Sequence, residues 1–195
     1  MSMDLTLRVF IHNDLADYNK DDLYETYFAQ LAQELESIAG EKISILLISP
    51  PNAGLHDHPY KDPYASGTLR TWRAKVDNYR RTLPDAGGST RHNKYLLLTR
   101  DPLFSTILGI ANQAGYTAIA SIARTYAPAH EVGHMFNATH EDSDVVYNGW
   151  WNDTNMRSDV LSQLRGNAGR FSDKNRENIS QYLDDFEFSD YGFSG

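Results

Sequence analysis

A mixed α/β (α+β) fold is predicted for this chain of 195 residues, on three observations. Segments that alternate apolar and polar residues take turns with segments whose apolar residues recur at helical spacing, the pattern of a sheet layered with helices. Hydrophobic residues make up 41% of the chain and charged residues 23%, so a core can be filled and disorder throughout is excluded. After residue 140 the periodicity gives way to an irregular stretch, so a smaller, looser part is expected to follow the sheet-rich one. The expected organisation is one domain over 1–195, with an upper part at 1–137 and a lower part at 138–195.

The first strand is expected at Leu5–Ile11, where Leu5, Leu7, Val9 and Ile11 alternate with polar neighbours. Residues 21–39 place Leu23, Tyr24, Tyr27, Phe28, Leu31, Leu35 and Ile38 on one helical stripe that stops at Gly40. Lys42–Ser49, rich in isoleucine and closed by Pro50-Pro51, is a second strand. Residues 50–66 carry the proline and small polar residues of a loop, and a helix over Thr68–Arg81 follows. Past the turn at Pro84–Gly88, strands are expected at Tyr95–Thr99 and Gly115–Ile122, with another at Ile107–Ala111. Ser172 is placed to cap a last helix carrying Ile179, Leu183 and Phe186.

Composition narrows the function classes. No apolar run approaches the ~20 residues of a membrane-spanning helix. The first twenty residues lack the basic start and apolar stretch of a cleavable signal, so a cytoplasmic location, or export or delivery without such a signal, is expected. With no cysteine, any metal must be held by His, Asp or Glu. The net charge of −8 argues against nucleic acid, although residues 61–100 hold nine basic and three acidic side chains. That block reads as a solvated face or as a surface for an acidic partner. A monomer is the expected state.

The chemistry lies in Ala129-His130-Glu131-Val132-Gly133-His134-Met135-Phe136-Asn137-Ala138-Thr139-His140. On a helix, His130 and His134 project from one face one turn apart and can share an ion. Glu131, beside the first of them, can reach a water at that ion without ligating it. A straight helix cannot bring His140 to the same face, so the helix must end and the chain turn back. Asn137 sits at that point, and Asn is the second-best residue after Gly for the positive φ of a helix stop. A helix from Pro128 to Phe136 is therefore expected, Pro128 at its start. Three neutral imidazoles leave a fourth position for water, the arrangement of a catalytic zinc site with one ion. A chance His-Glu-x-x-His is expected about once in a hundred chains of this composition.

These residues resemble the extended motif of the metzincin zinc metallopeptidases, His-Glu-x-x-His-x-x-Gly-x-x-His, and Ala129–Thr139 looks most like the reprolysin branch. The resemblance implies a metzincin-like fold, with a twisted sheet and helices above a cleft and a small irregular lower subdomain that ends in a helix. It implies that His130, His134 and His140 are zinc ligands, that Glu131 is the general base and proton shuttle, and that Met156 is the methionine of a turn beneath the metal. It further implies a strand at the cleft edge that pairs with an extended peptide. Gly109-Ile110-Ala111 and the stretch Gly115, Tyr116, Thr117, Ala118 look like that edge. The chain departs from the family at Asn137, where the family has glycine, and at Ser158, where astacin-like and serralysin-like members have tyrosine. Tyr147 is the candidate to take that tyrosine's place. Tyr147, Trp150 and Trp151 either line a substrate pocket or fill the lower subdomain's core.

The implied activity is zinc-dependent hydrolysis of internal peptide bonds in a peptide or protein substrate. Two further readings are a catalytically silent, zinc-stabilised peptide-binding protein and a zinc hydrolase of a non-peptide amide. His56-Asp57-His58 is expected in an exposed loop, and His12 and His92 as ordinary residues. Among the acids near His140, Asp142 is a candidate to orient a histidine.

Overall fold

The computed structural model describes residues 5–50, 54–157 and 165–184. It contains a five-stranded sheet, a three-stranded one and five α-helices among those residues. Strand β1 (Leu5–Ile11) lies between β2 (Ile43–Ile48) and β3 (Asn93–Thr99), parallel to both. β5 (Thr117–Ser121) continues the sheet parallel to β3, and β4 (Gly109–Ala111) closes it antiparallel to β5. The order is β2-β1-β3-β5-β4, so β4 is the terminal strand.

Both faces of the sheet are covered, and successive residues of one strand serve two cores. Leu5, Leu7, Val9, Leu96, Leu98, Ala118 and Ala120 pack with Leu23, Leu31 and Leu35 from the amino-terminal helices and with Val132 and Met135 from the motif helix. Phe10, Tyr95, Leu97 and Ile119 point the other way, onto Leu69, Trp72 and Val76 of α3 (Ala65–Arg80).

The single helix expected over 21–39 is two helices. α1 (Lys20–Tyr27), capped by the Asn19 side chain, gives way at Phe28 (φ −126°) to α2 (Ala29–Ala39), which ends at Gly40 as expected. Phe28 is fully buried, so the break turns both helices onto the same core. The apolar stripe runs through the break without a gap, which is why spacing alone does not reveal it. The strand expected from Gly115 begins only at Thr117, and the one expected from Ile107 begins at Gly109.

Beyond the motif helix α4 (Ala127–Met135), the lower part is less irregular than expected. Strands β6 (Val145–Tyr147) and β7 (Trp151–Asp153) form an antiparallel hairpin, and β8 (Gly166–Asn167) adds parallel to β7. The last described element is α5 (Asp173–Asp184), whose Asn175 N–H donates to Ser172 Oγ at 3.1 Å, the expected cap. Phe186, expected on that helix, and Ser158 lie outside the described residues. No helix among the described residues is long and apolar enough to cross a membrane.

The His56-Asp57-His58 segment is also corrected. Both histidines are buried, at 2% and 1% exposure, and they pack beside Phe10 and Trp72 rather than lying in an exposed loop. His56 Nδ1 meets the Ile11 carbonyl at 2.6 Å, and burial holds His58 down at about 4.

Candidate metal centre

α4 is built as its sequence requires, with Pro128 in its first turn and Asn137 just past its end at φ +72°. The Asn137 N–H donates to the His134 carbonyl at 3.1 Å and the Ala138 N–H to the Gly133 carbonyl at 2.9 Å. These two bonds form a Schellman motif, which reverses the chain and returns His140 to the helix.

The result is a cluster of three imidazoles, the one such group of potential metal ligands among the described residues. His140 Nε2 lies 2.9 Å from His130 Nε2 and 3.0 Å from His134 Nε2. His130 Nδ1 is 2.9 Å from the Asn155 carbonyl oxygen, and His134 Nδ1 is 3.2 Å from that of Ala138. A carbonyl only accepts, so both Nδ1 atoms carry the proton and both Nε2 atoms present bare lone pairs. His140 can share one N–H with only one of them. Burial and the neighbouring imidazoles hold His130 down at about 3 and also lower His134, so extra protons do not relieve the crowding. A cation does: tetrahedral coordination at 2.0–2.1 Å separates ligand nitrogens by roughly 3.3 Å, close to the spacing present. Neutral imidazoles suit zinc, and three of them leave a coordination position open.

Glu131, which follows His130 on α4, turns its side chain against β4. A methyl group on Gly109 of β4 would lie 2.6 Å from Glu131 Cγ and 2.7 Å from both Glu131 Oε1 and the Ile119 carbonyl oxygen. The carboxyl therefore occupies the space that a side chain at 109 would take. Burial raises it to about 8 before any cation is counted, and a cation at the imidazoles pulls it back down.

Met156 is fully buried beneath α4, where a methyl group on Gly133 would come 2.5 Å from its Sδ and 2.6 Å from Phe171 Cε1. The Asn155-Met156 turn thus supports the motif helix between its two histidines and supplies the carbonyl that orients His130. The third ligand is held from α5. Thr139 N–H donates to Asn175 Oδ1 at 2.7 Å, and Asn175 Nδ2 donates to the Thr139 carbonyl at 2.9 Å. Asp142 accepts from Thr139 Oγ1 at 3.1 Å and from Asn178 Nδ2 at 2.7 Å, so it braces this clasp rather than a histidine.

The candidate substrate residues are separated by the fold. Thr117 and Ala118 are buried inside the sheet, and Ala118 is paired with both Leu96 and Ala111, so its backbone has no free edge. Gly115 sits in the turn before β5, and Tyr116 turns to α3, where its hydroxyl donates to Asp77 at 2.7 Å. The terminal strand beside Glu131 is Gly109–Ala111. Tyr147, Trp150 and Trp151 are 56–65% exposed on the β6–β7 hairpin, so they do not fill the lower part's core. The hairpin springs from the site: Ser143 N–H donates to the His140 carbonyl, and Thr154, next to Asn155, bonds Asp144.

Sequence reasoning missed two residues that orient the ligands. Asn155 acts through its backbone, and its place before the expected turn methionine was the available signal. Gln113, whose Oε1 lies 3.3 Å from His134 Nδ1, carries no sequence signal because the β4–β5 connection alone brings it there.

Neither a family model nor a curated protein sequence matches the chain. Among solved structures it is similar to a zinc-dependent peptidase from Methanocorpusculum labreanum, with a TM-score of 0.52 at 18% identity over 89% of this chain and 99% of that one. It is also similar to metalloproteinase-II from Bacteroides fragilis, with a TM-score of 0.62 at 17% identity over 92% of this chain. The match spans 53% of the Bacteroides chain, about half its length. At these identities the likeness shows the fold.

Proposed function

We propose that the protein is a zinc-dependent metalloendopeptidase of metzincin type. The observation that carries this reading is the convergence of three Nε2 atoms, two of them proton-free by their Nδ1 bonds to carbonyls, beside a buried glutamate. The likeness in fold to a zinc-dependent peptidase and to a metalloproteinase supports it.

His130, His134 and His140 would hold the zinc ion, which when bound would supply Lewis acidity towards a water and the substrate carbonyl. Glu131 takes the proton of the attacking water and returns it to the leaving amine. Its burial keeps that carboxyl away from competing solvent, and Gly109 gives it room. An extended peptide adds to the free edge of β4 through backbone hydrogen bonds, which places internal segments of a chain across the site. Tyr147 and Trp150 line the hairpin side of that path.

The presence and burial of Glu131 favour turnover over a silent binding role. The test is cleavage of a diverse peptide library by the zinc-loaded protein beside Glu131→Ala. Internal cuts that vanish in the variant, with one zinc retained in both proteins, are expected. Absence of cutting by either protein at full zinc occupancy overturns the reading.

A further inference from the structure

The turn between β4 and β5 is fastened to the end of the motif helix. The Ala114 N–H donates to the His134 carbonyl at 2.9 Å. Beside it, the Gln113 side chain lies across the helix stop and uses both ends of its amide. Its Nε2 donates to Asn137 Oδ1 at 3.0 Å and to the Ala138 carbonyl at 3.1 Å, and its Oε1 lies 3.3 Å from His134 Nδ1. The Ala138 carbonyl only accepts, so the nitrogen is the end that faces it and the oxygen is left to accept from the imidazole. The His134 Nδ1 proton is thus shared between its own return segment, through Ala138 at 3.2 Å, and the β4–β5 turn, through Gln113.

Two observations set this contact apart from an ordinary surface bond. Ala114 holds φ +53°, a left-handed conformation that is strained for a residue with a side chain, and such strain persists where surrounding contacts impose it. The turn is therefore bent to fit the helix end. It is also held without any help from the Gln113 side chain. Lys94 Nζ donates to the Gly115 carbonyl at 2.7 Å, and the Tyr182 hydroxyl donates to that of Ala114 at 3.4 Å. Gln113 itself is exposed, so its amide is presented to His134 from a support that does not depend on it.

We propose that Gln113 is a positioning residue that couples the β4–β5 hairpin to the metal centre. Its Oε1 fixes the proton on His134 Nδ1 and the plane of the ring, which leaves Nε2 bare and aimed at the ion. The reverse also holds. A cation at Nε2 draws charge from the ring and makes its N–H a stronger donor, so the bond to Gln113 tightens when the site is filled. Coupling between two equilibria is reciprocal: whatever the seated turn adds to zinc affinity, bound zinc adds to the seating of the turn. The proposal rests on the zinc-peptidase reading, and within it one side chain keeps the strand edge that takes the peptide in register with the metal.

The experiment titrates zinc against a chromogenic chelator in the parent, Gln113→Leu and Gln113→Glu, and follows exchange of the Ala114 amide by NMR with and without zinc. Gln113→Leu is expected to bind zinc about tenfold or more weakly, while the urea midpoint of the zinc-free protein stays that of the parent. Gln113→Glu, whose carboxylate accepts the same N–H, is expected to recover most of the affinity. Zinc is expected to slow exchange at Ala114 by about tenfold in the parent, and by less in Gln113→Leu. Parental zinc affinity in Gln113→Leu, or a weakening that Gln113→Glu shares, overturns the proposal. So does a fall in the zinc-free urea midpoint that accompanies the loss, since Gln113 then serves the fold alone. Exchange at Ala114 that responds to zinc equally in all three proteins removes the coupling and overturns it too. Any of these results beside intact peptide cleavage by the parent leaves the peptidase reading standing, whereas a parent that binds no zinc removes both.

Discussion

Glu131 has its place only because residue 109 has no side chain. Gly109→Ala brings a methyl group within 2.7 Å of both the carboxylate and the rigid Ile119 carbonyl, and the carboxylate is the partner able to move. In the proposed mechanism Glu131 carries the proton, and displacing such a group by about 1 Å costs on the order of 10²-fold in kcat. Gly109→Ala is therefore expected to lose activity on that scale with zinc content unchanged, as steady-state kinetics and metal analysis on one preparation would show. Lys94 is a second residue whose environment dominates its behaviour. It is fully buried, donates to the Gly115 carbonyl at 2.7 Å and to the Tyr182 hydroxyl at 2.8 Å, and burial together with Arg91 lowers it to about 6. Between there and the ordinary value of 10.5, the unfolded chain holds a proton that the folded chain has shed, so stability rises with pH across this window and falls as pH drops through 6. Lys94→Met is expected to flatten that rise by about 1 kcal/mol or more, read from urea denaturation at pH 6 and pH 9. The three imidazoles were legible because few residue types bind metal and their spacing is local. The burial of Lys94, His56 and His58 was not, since nothing in a polar residue's own neighbourhood of sequence says that a sheet will close over it.

At the scale of elements, the end of α4 decides whether the third imidazole arrives. Asn137 holds φ +72°, a conformation that costs an ordinary L-residue about 1–2 kcal/mol and glycine nothing. Asn137→Gly is expected to match the parent in stability and zinc affinity, whereas Asn137→Val is expected to lose about that amount and bind zinc more weakly. Chemical denaturation and zinc titration with a chromogenic competitor would measure both. This helix stop could be read in advance because the positive φ and the residue that tolerates it stand at one position. The break at Phe28 could not, because a continuous apolar stripe serves one helix or two equally well. The sheet edge was partly legible: Gly109–Ala111 and Gly115–Ala118 were both candidates, and only the pairing of Ala118 with Leu96 and Ala111 shows which of them is enclosed.

For the molecule as a whole, the metal centre is a joint between the motif helix, the return segment and the turn at Asn155-Met156. A metal bound only by the folded state adds about 2.7 kcal/mol at a hundred times its Kd. Stripping zinc with a chelator is therefore expected to lower Tm by roughly 5–10 °C, with recovery on adding zinc back. Scanning calorimetry with and without chelator would show it, and an unchanged Tm would mean that the three imidazoles are held in place without a cation. The clasp between Thr139 and Asn175 has one more consequence, in time rather than in space. The ligand His140 is tied down by a helix that starts more than thirty residues later. A chain still emerging from the ribosome thus carries its three histidines and its glutamate well before Asn175 exists to fasten the return segment that brings His140 back.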